Sequence, residues 1–249
     1  MAQDKELAVG GFAQGDLYNA SRPGYPDDAI THFVRTFNLD ERSHVLDLGA
    51  GTGIFTRQLL AHVGRVSAVE PSASMRTTFA QETPGVAVLD GSDESIPLAD
   101  HEVIAVFAAQ AFHWFDPSRA LPEIHRVLAP GGGLGLIWNE RDTDVEWIRE
   151  LNHAMLWDLN FPYDASLDYG AIVAAGPFRD VRSSKFHHSQ LLTHDQVLQR
   201  TLTTSYITLM DEEPRRHLSS EVLRTLAKLP DPVEMPYVTT TYVAFAIDS

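Results

Sequence analysis

Residues 45–53 read Val-Leu-Asp-Leu-Gly-Ala-Gly-Thr-Gly, a β-prone run that ends in glycine at every second position. Such a segment predicts a strand, a sharp turn and the start of a helix. Glycine lets the backbone bend tightly and lets a ligand approach the main chain closely. The same alternation continues downstream. Strands are predicted at 44–48, 66–69, 86–89, 103–108 and 134–138, with helices at 54–63, 72–81 and 116–128. Strands alternating with helices form a parallel sheet with helices on both faces. The run Val103–Ala108 is wholly apolar, so both of its faces should be buried. Asp116-Pro117 is a strong helix start, and Pro130-Gly131-Gly132 should stop that helix. Pro122, inside it, should kink it or shift its start.

The flanks are less regular. Residues 1–25 form a glycine-rich polar arm, followed by a helix with Ile30, Phe33, Val34 and Phe37 at helical spacing. Beyond Asn139, residues 143–158 read as a helix and residues 159–180 as a loop-rich segment, a candidate lid. Phe186–Leu192 reads as a strand, 195–209 and 214–229 as helices, and 239–247 as a last strand. At 249 residues the chain is most simply a single domain. Its net charge of −15 argues against nucleic acid or an anionic membrane as partner. With no cysteine, disulfides, thiol nucleophiles and thiolate metal sites are excluded. No histidine pair has convincing metal spacing, His187-His188 included. The polar start and the absence of an apolar run near ~20 residues point to a soluble, cytoplasmic protein.

Glu70 closes the strand after the glycine turn, 21 residues beyond Gly49. An acid there can accept hydrogen bonds from both hydroxyls of a ribose. A dinucleotide fingerprint would place its third glycine at position 54, which is isoleucine. No G-K-[ST] follows either, so a P-loop is excluded. A nicotinamide-dependent oxidoreductase and a tight turn without a ligand are the alternatives at this point.

Four segments in order, VLDLGAGTGIFT at 45–56, Ala68-Val69-Glu70-Pro71-Ser72, Asp90 to Leu98, and Arg126-Val127-Leu128-Ala129-Pro130-Gly131-Gly132, resemble the motifs of class I S-adenosylmethionine-dependent methyltransferases. The resemblance implies a Rossmann-like, seven-stranded, mostly parallel sheet with helices on both faces. Its last strand would be antiparallel, with a helical, loop-rich insertion after the fifth strand. It implies S-adenosylmethionine as methyl donor and S-adenosylhomocysteine as product. It also implies one domain over 1–249: an arm and helix covering the donor (1–38), a cofactor-binding core (39–140), an acceptor-pocket and lid segment (141–235) and a final strand (236–249).

By the same resemblance, Asp47, Gly49, Gly51 and Gly53 lie near the methionine part of the donor, and Glu70 on its ribose. Met75, Ser92 and Asp93 lie near the adenine, and Gln110 and Ala111 at the end of the fourth strand. Tyr18 and Arg22 would close over the donor from the arm. A narrower likeness, carried by Tyr18, Arg22 to Pro26, Gln110 to Asp116 and Trp138 to Asp142, is to small-molecule methyltransferases of the trans-aconitate methyltransferase-like branch. It implies a small-molecule acceptor facing Trp114, Trp138, Asn139 and Arg141, with His113 as candidate base. A cofactor-binding protein or a cyclase-like, non-methylating catalyst on the same fold is a further alternative.

Overall fold

The computed structural model describes residues 23–155 and 167–247. Helix α1 (Asp27–Thr36) follows Pro26, with two acids in its first turn and Arg35 in its last, matching the helix dipole. The alternating region follows: β1 (His44–Leu48), α2 (Ile54–Leu59), β2 (Arg65–Val69), α3 (Ala73–Glu82), β3 (Val88–Leu89) and β4 (Val103–Ala109). A 3-10 turn at Phe112–Trp114, α4 (Pro117–Val127) and β5 (Leu128–Arg141) complete it. After these come α5 (Glu146–Ala154), α6 (Tyr169–Ala174), β6 (Phe178–Leu192), α7 (His194–Leu202), α8 (Ser205–Thr208), α9 (Glu212–Leu226) and β7 (Val233–Ala246).

The seven strands form one sheet in the order β3-β2-β1-β4-β5-β7-β6. The pairs from β3 to β5 are parallel. The last two strands are antiparallel: Ile247 N–H bonds Pro177 O, Thr241 Oγ1 bonds Ser184 O, and Ser189 meets Glu234. Numbers fall on β7 as they rise on β6. The order reverses direction between β1 and β4, the switch point where open α/β sheets bind ligands.

Residues 24–139, 167–186 and 239–247 make up one compact unit, and 140–155 and 187–238 a second. The first unit is built around aromatic packing. The Phe33 ring lies 5.1 Å from Phe107 and also meets Phe37 and Phe55. Gly135 on β5 is required by this cluster, since a Cβ there would lie 2.6 Å from Phe107 Cδ1. Arg126 pins the loop before β4 to α4, donating to Leu98 O and Ile96 O and pairing with Glu123 and Asp100. The second unit has its own core, including Ile148, Leu151, Val197, Val222 and Tyr237. Arg200, 5% exposed, donates there to the Tyr237 hydroxyl.

Three local expectations change. α4 starts at Pro117, capped by Asp116, and runs through Pro122 with its start unshifted. Pro130-Gly131-Gly132 does not separate helix from strand. β5 begins at Leu128, and Val103 pairs with Leu128 while Ala105 pairs with Gly133, so the three residues form a bulge inside the strand. The stretch read as loop, 159–180, contains α6 and the first residues of β6, which starts at Phe178 rather than 186. The rest of that stretch, 159–166, lies outside the described residues.

Phe33→Ala should lower unfolding free energy by about 3–5 kcal/mol, the usual cost of emptying an aromatic core position. Leu223→Ala, on a side chain 44% exposed, should change it by no more than about 0.5 kcal/mol. Urea titration of both variants checks the pair.

Candidate active site

The glycine turn folds back over the end of β2, with the N–H groups of Gly49 and Ala50 both donating to Val69 O at 2.8 and 3.1 Å. Gly49, Gly51 and Gly53 all have positive φ, at 73°, 57° and 82°, where an L side chain is strained. Each meets a different neighbourhood. A Cβ at Gly49 would lie 2.7 Å from Ala111 Cβ, and one at Gly53 would lie 2.6 Å from Thr83 Oγ1. Among the described residues, a Cβ at Gly51 would meet nothing within 4 Å. Two glycines therefore let protein pack closely, and the middle one borders space that no described residue fills.

Glu70 holds this turn in place. Its Oε2 accepts from Gly51 N–H at 2.9 Å, and its Oε1 accepts from Ser72 N–H at 2.8 Å, at the start of α3. Burial pushes its carboxyl up, against the opposing pull of those two N–H groups and of Arg76. A carboxylate has about four acceptor positions, so each oxygen retains capacity for a ligand hydroxyl. Arg76 donates to Glu70 O and pairs with Asp90.

Asp47 on β1 is fully buried. Its Oδ2 accepts from Thr56 Oγ1 of α2 at 2.5 Å. Its Oδ1 is buried with no hydrogen-bond partner among the described residues. Burial pushes this carboxyl up to about 7, and the nearby Glu70 charge pushes the same way. An ionised, buried, half-satisfied carboxylate is costly unless a cation or donor joins it.

The remaining expected residues fall into distinct surroundings. Met75, 4% exposed, sits in the first turn of α3, whose N-cap is Ser72. Ser92 pairs its backbone with Ser95 in both directions, and buried Asp93 accepts from Asp116 N–H at 3.3 Å. Gln110 has φ 54° just past β4 and donates to Asn139 O at 2.9 Å. Trp114 is half-buried in the 3-10 turn. Trp138 is buried and stacks on Tyr169 with centroids 4.6 Å apart. Its indole N–H donates to His113 Nδ1 at 3.3 Å, and burial pushes His113 down to about 3.

Asn139 spends both side-chain ends on protein, donating to Gly24 O and accepting from Thr239 Oγ1. Arg141 belongs to the second unit, where it donates to Asn152 Oδ1 at 2.9 Å. Tyr18 and Arg22 lie outside the described residues. Sequence reading missed Thr56 and Ser72. Ser72 carried a signal, as an N-cap serine directly after Glu70-Pro71.

Among the described residues no helix is long and apolar enough to cross a membrane. Nor does any group of three or more His, Asp or Glu among them suit a metal ion.

Asp47→Asn tests the buried charge. With Asp47 held above the usual carboxylate range in the folded state, the native protein binds more protons than the unfolded chain up to about pH 7. Its contribution to stability therefore falls as pH rises from about 4 to about 7. Relative to wild type, Asp47→Asn should gain stability across that window and level off above it. Urea unfolding at pH 5, 6, 7 and 8 measures this; a difference that ignores pH contradicts it.

The family profile described as "Methyltransferase domain" matches residues 46–136. An uncharacterised methyltransferase of Mycobacterium tuberculosis is 35% identical over 242 residues, covering 95% of both chains. An uncharacterised methyltransferase-like protein of Schizosaccharomyces pombe is 32% identical, covering 90% of this chain and 91% of that one. The fold matches a Haemonchus contortus phosphoethanolamine N-methyltransferase solved with S-adenosyl-L-methionine, at TM-score 0.56 and 16% identity, over 97% of this chain and 57% of that one. On these matches, and with the order of its sheet, the chain belongs to the class I S-adenosylmethionine-dependent methyltransferases.

Proposed function

We propose that this enzyme moves a methyl group from S-adenosylmethionine to a small-molecule acceptor by in-line displacement. The observation that carries the reading is the pair of buried carboxylates, Asp47 and Glu70, with Glu70 on the N–H of Gly51, whose free side no described residue fills. The bound donor supplies a methyl already activated on a sulfonium. Glu70, braced by the Gly51 and Ser72 N–H groups, receives the ribose diol. Asp47 offers Oδ1 to the cationic amino-acid part of the donor, the ligand chemistry its missing partner asks for. Met75 covers the adenine, with Ser92 and Asp93 at its edge, and Gln110 and Ala111 close the strand end. Tyr18 and Arg22, which lie outside the described residues, are assigned to the donor on the family resemblance alone.

His113 suits a pocket wall better than a base. Its Nδ1 is taken by the Trp138 indole, so the ring proton sits on Nε2 and the ring stays neutral at physiological pH. Rate enhancement then rests on alignment, an effect worth up to about 7–11 kcal/mol. Trp114 and Trp138 belong to the acceptor side of this reading. The net charge of −15 argues against nucleic acid and anionic membranes as partners. Ile54, the first residue of α2, stands where a dinucleotide site needs glycine, which argues against a nicotinamide cofactor.

Calorimetry should give binding of S-adenosylmethionine and S-adenosylhomocysteine but none of NAD. Glu70→Gln should weaken donor binding about tenfold, or about 1.4 kcal/mol. Labelled donor with a metabolite pool should yield a product heavier by one methyl. A product of unchanged mass would favour the cyclase-like alternative, and unaltered donor binding by Glu70→Gln would overturn the assignment of Glu70.

A further inference from the structure

With glycine at 49, 51 and 53, the turn after β1 has few side chains to anchor it, and its shape is held largely through main-chain groups. On one side β2 supplies the anchors. Val69 O takes two N–H groups, and the Glu70 carboxylate takes that of Gly51. Within the turn, Gly53 N–H donates to Ala50 O at 2.9 Å. On the other side stands Arg57 of α2. Its backbone N–H donates to Gly53 O at 3.0 Å. Its guanidinium then reaches back, where Nη1 donates to Thr52 O at 2.9 Å and to Thr83 Oγ1 at 3.0 Å.

Thr83 is 3% exposed and closes α3, its N–H donating to Phe79 O at 2.8 Å. It also packs on the turn. A Cβ at Gly53 would meet Phe79 Cδ2 at 2.9 Å as well as the Thr83 hydroxyl. One guanidinium nitrogen therefore ties the turn between β1 and α2 to the end of the helix that follows β2. Both acceptors are neutral, so the bonds are charge-assisted and stronger than ordinary ones. Thr52 O lies between two glycines with φ of 57° and 82°, where the backbone meets little resistance from side chains. A fixed donor gives that carbonyl one direction.

We propose that Arg57 is a positioning residue for donor binding: by holding Thr52 O and Thr83 Oγ1, it keeps the glycine turn in the form that sets the Gly51 N–H on Glu70. This rests on the donor reading above. A ligand that meets a turn already in its bound form does not bear the cost of ordering it. Releasing the turn on the α2 side should therefore weaken donor binding while Asp47 and Glu70 themselves stay unchanged.

The test is calorimetry with S-adenosylmethionine on wild type, Arg57→Met, Arg57→Lys and Thr83→Val, beside amide hydrogen exchange without donor. Arg57→Met should weaken binding about tenfold and Thr83→Val about threefold. A single nitrogen of Arg57 makes both bonds, so an ammonium can replace it, and Arg57→Lys should bind closer to wild type than Arg57→Met. Without donor, the Gly51 and Gly53 amides of Arg57→Met should speed up about tenfold more than the amide of fully buried Leu46 in β1, which reports general loosening. Thr83→Val keeps the shape beneath Gly53 and carries the test if Arg57→Met does not fold. Unchanged affinity in a folded Arg57→Met, Arg57→Lys binding no better than Arg57→Met, or equal acceleration at Leu46 and in the turn would each overturn the inference and leave the donor reading standing. Wild-type protein that fails to bind the donor overturns the donor reading itself, and this inference with it.

Discussion

The bond from the Gly51 N–H to the Glu70 carboxylate is the interaction on which the rest of the site depends. It ties the turn after β1 to the residue that ends β2, and the other oxygen of the same carboxylate starts α3 through Ser72. One side chain thereby sets the relative position of two strand–helix connections. The three left-handed glycines make this possible. With side chains at 49 and 53 the turn would collide with Ala111 and Thr83, and it could not bring Gly51 over the carboxylate.

The electrostatics of the site follow from this closure. Pulling the turn down over β1 and β2 buries Asp47 and Glu70 together, and both are held less acidic than an exposed carboxyl. Glu70 is compensated by backbone donors. Among the described residues, Asp47 is compensated only on the Thr56 side. An ionised Asp47 therefore carries an electrostatic cost that a cation or donor would relieve. His113 carries the same lesson with the opposite sign. Burial that raises an acid lowers a base, and the His113 imidazole is pushed down accordingly.

Legibility in the sequence tracked how local the cause was. β1, β2 and β4 follow from short β-prone runs, and α4 follows from Asp116-Pro117; each lies within a residue or so of its expected bounds. β6 was half invisible because Arg179, Asp180, Arg182, Ser183 and Ser184 carry no strand pattern. It is a strand because it is hydrogen-bonded to β7 at the edge of the sheet. The proline and glycines at 130–132 look like a stop signal and are a bulge, a distinction made only by the register against β4. Asn139 reads from sequence as a polar group at a strand end, free for an acceptor. The fold instead occupies both ends of its amide with Gly24 and Thr239, neighbours 115 and 100 residues away.

By itself the sequence determined the strand–turn–helix order, the turn that needs glycine at 49, 51 and 53, and the acid at the end of the second strand. These depend on backbone conformation and on spacing along a few residues, which any chain with those residues must obey. Tertiary structure alone decided which carboxylate oxygen is left without a partner among the described residues, which histidine nitrogen is occupied, and which groups the Asn139 amide holds. Burial and hydrogen-bond partnership depend on atoms brought together from distant parts of the chain, and no local pattern encodes them.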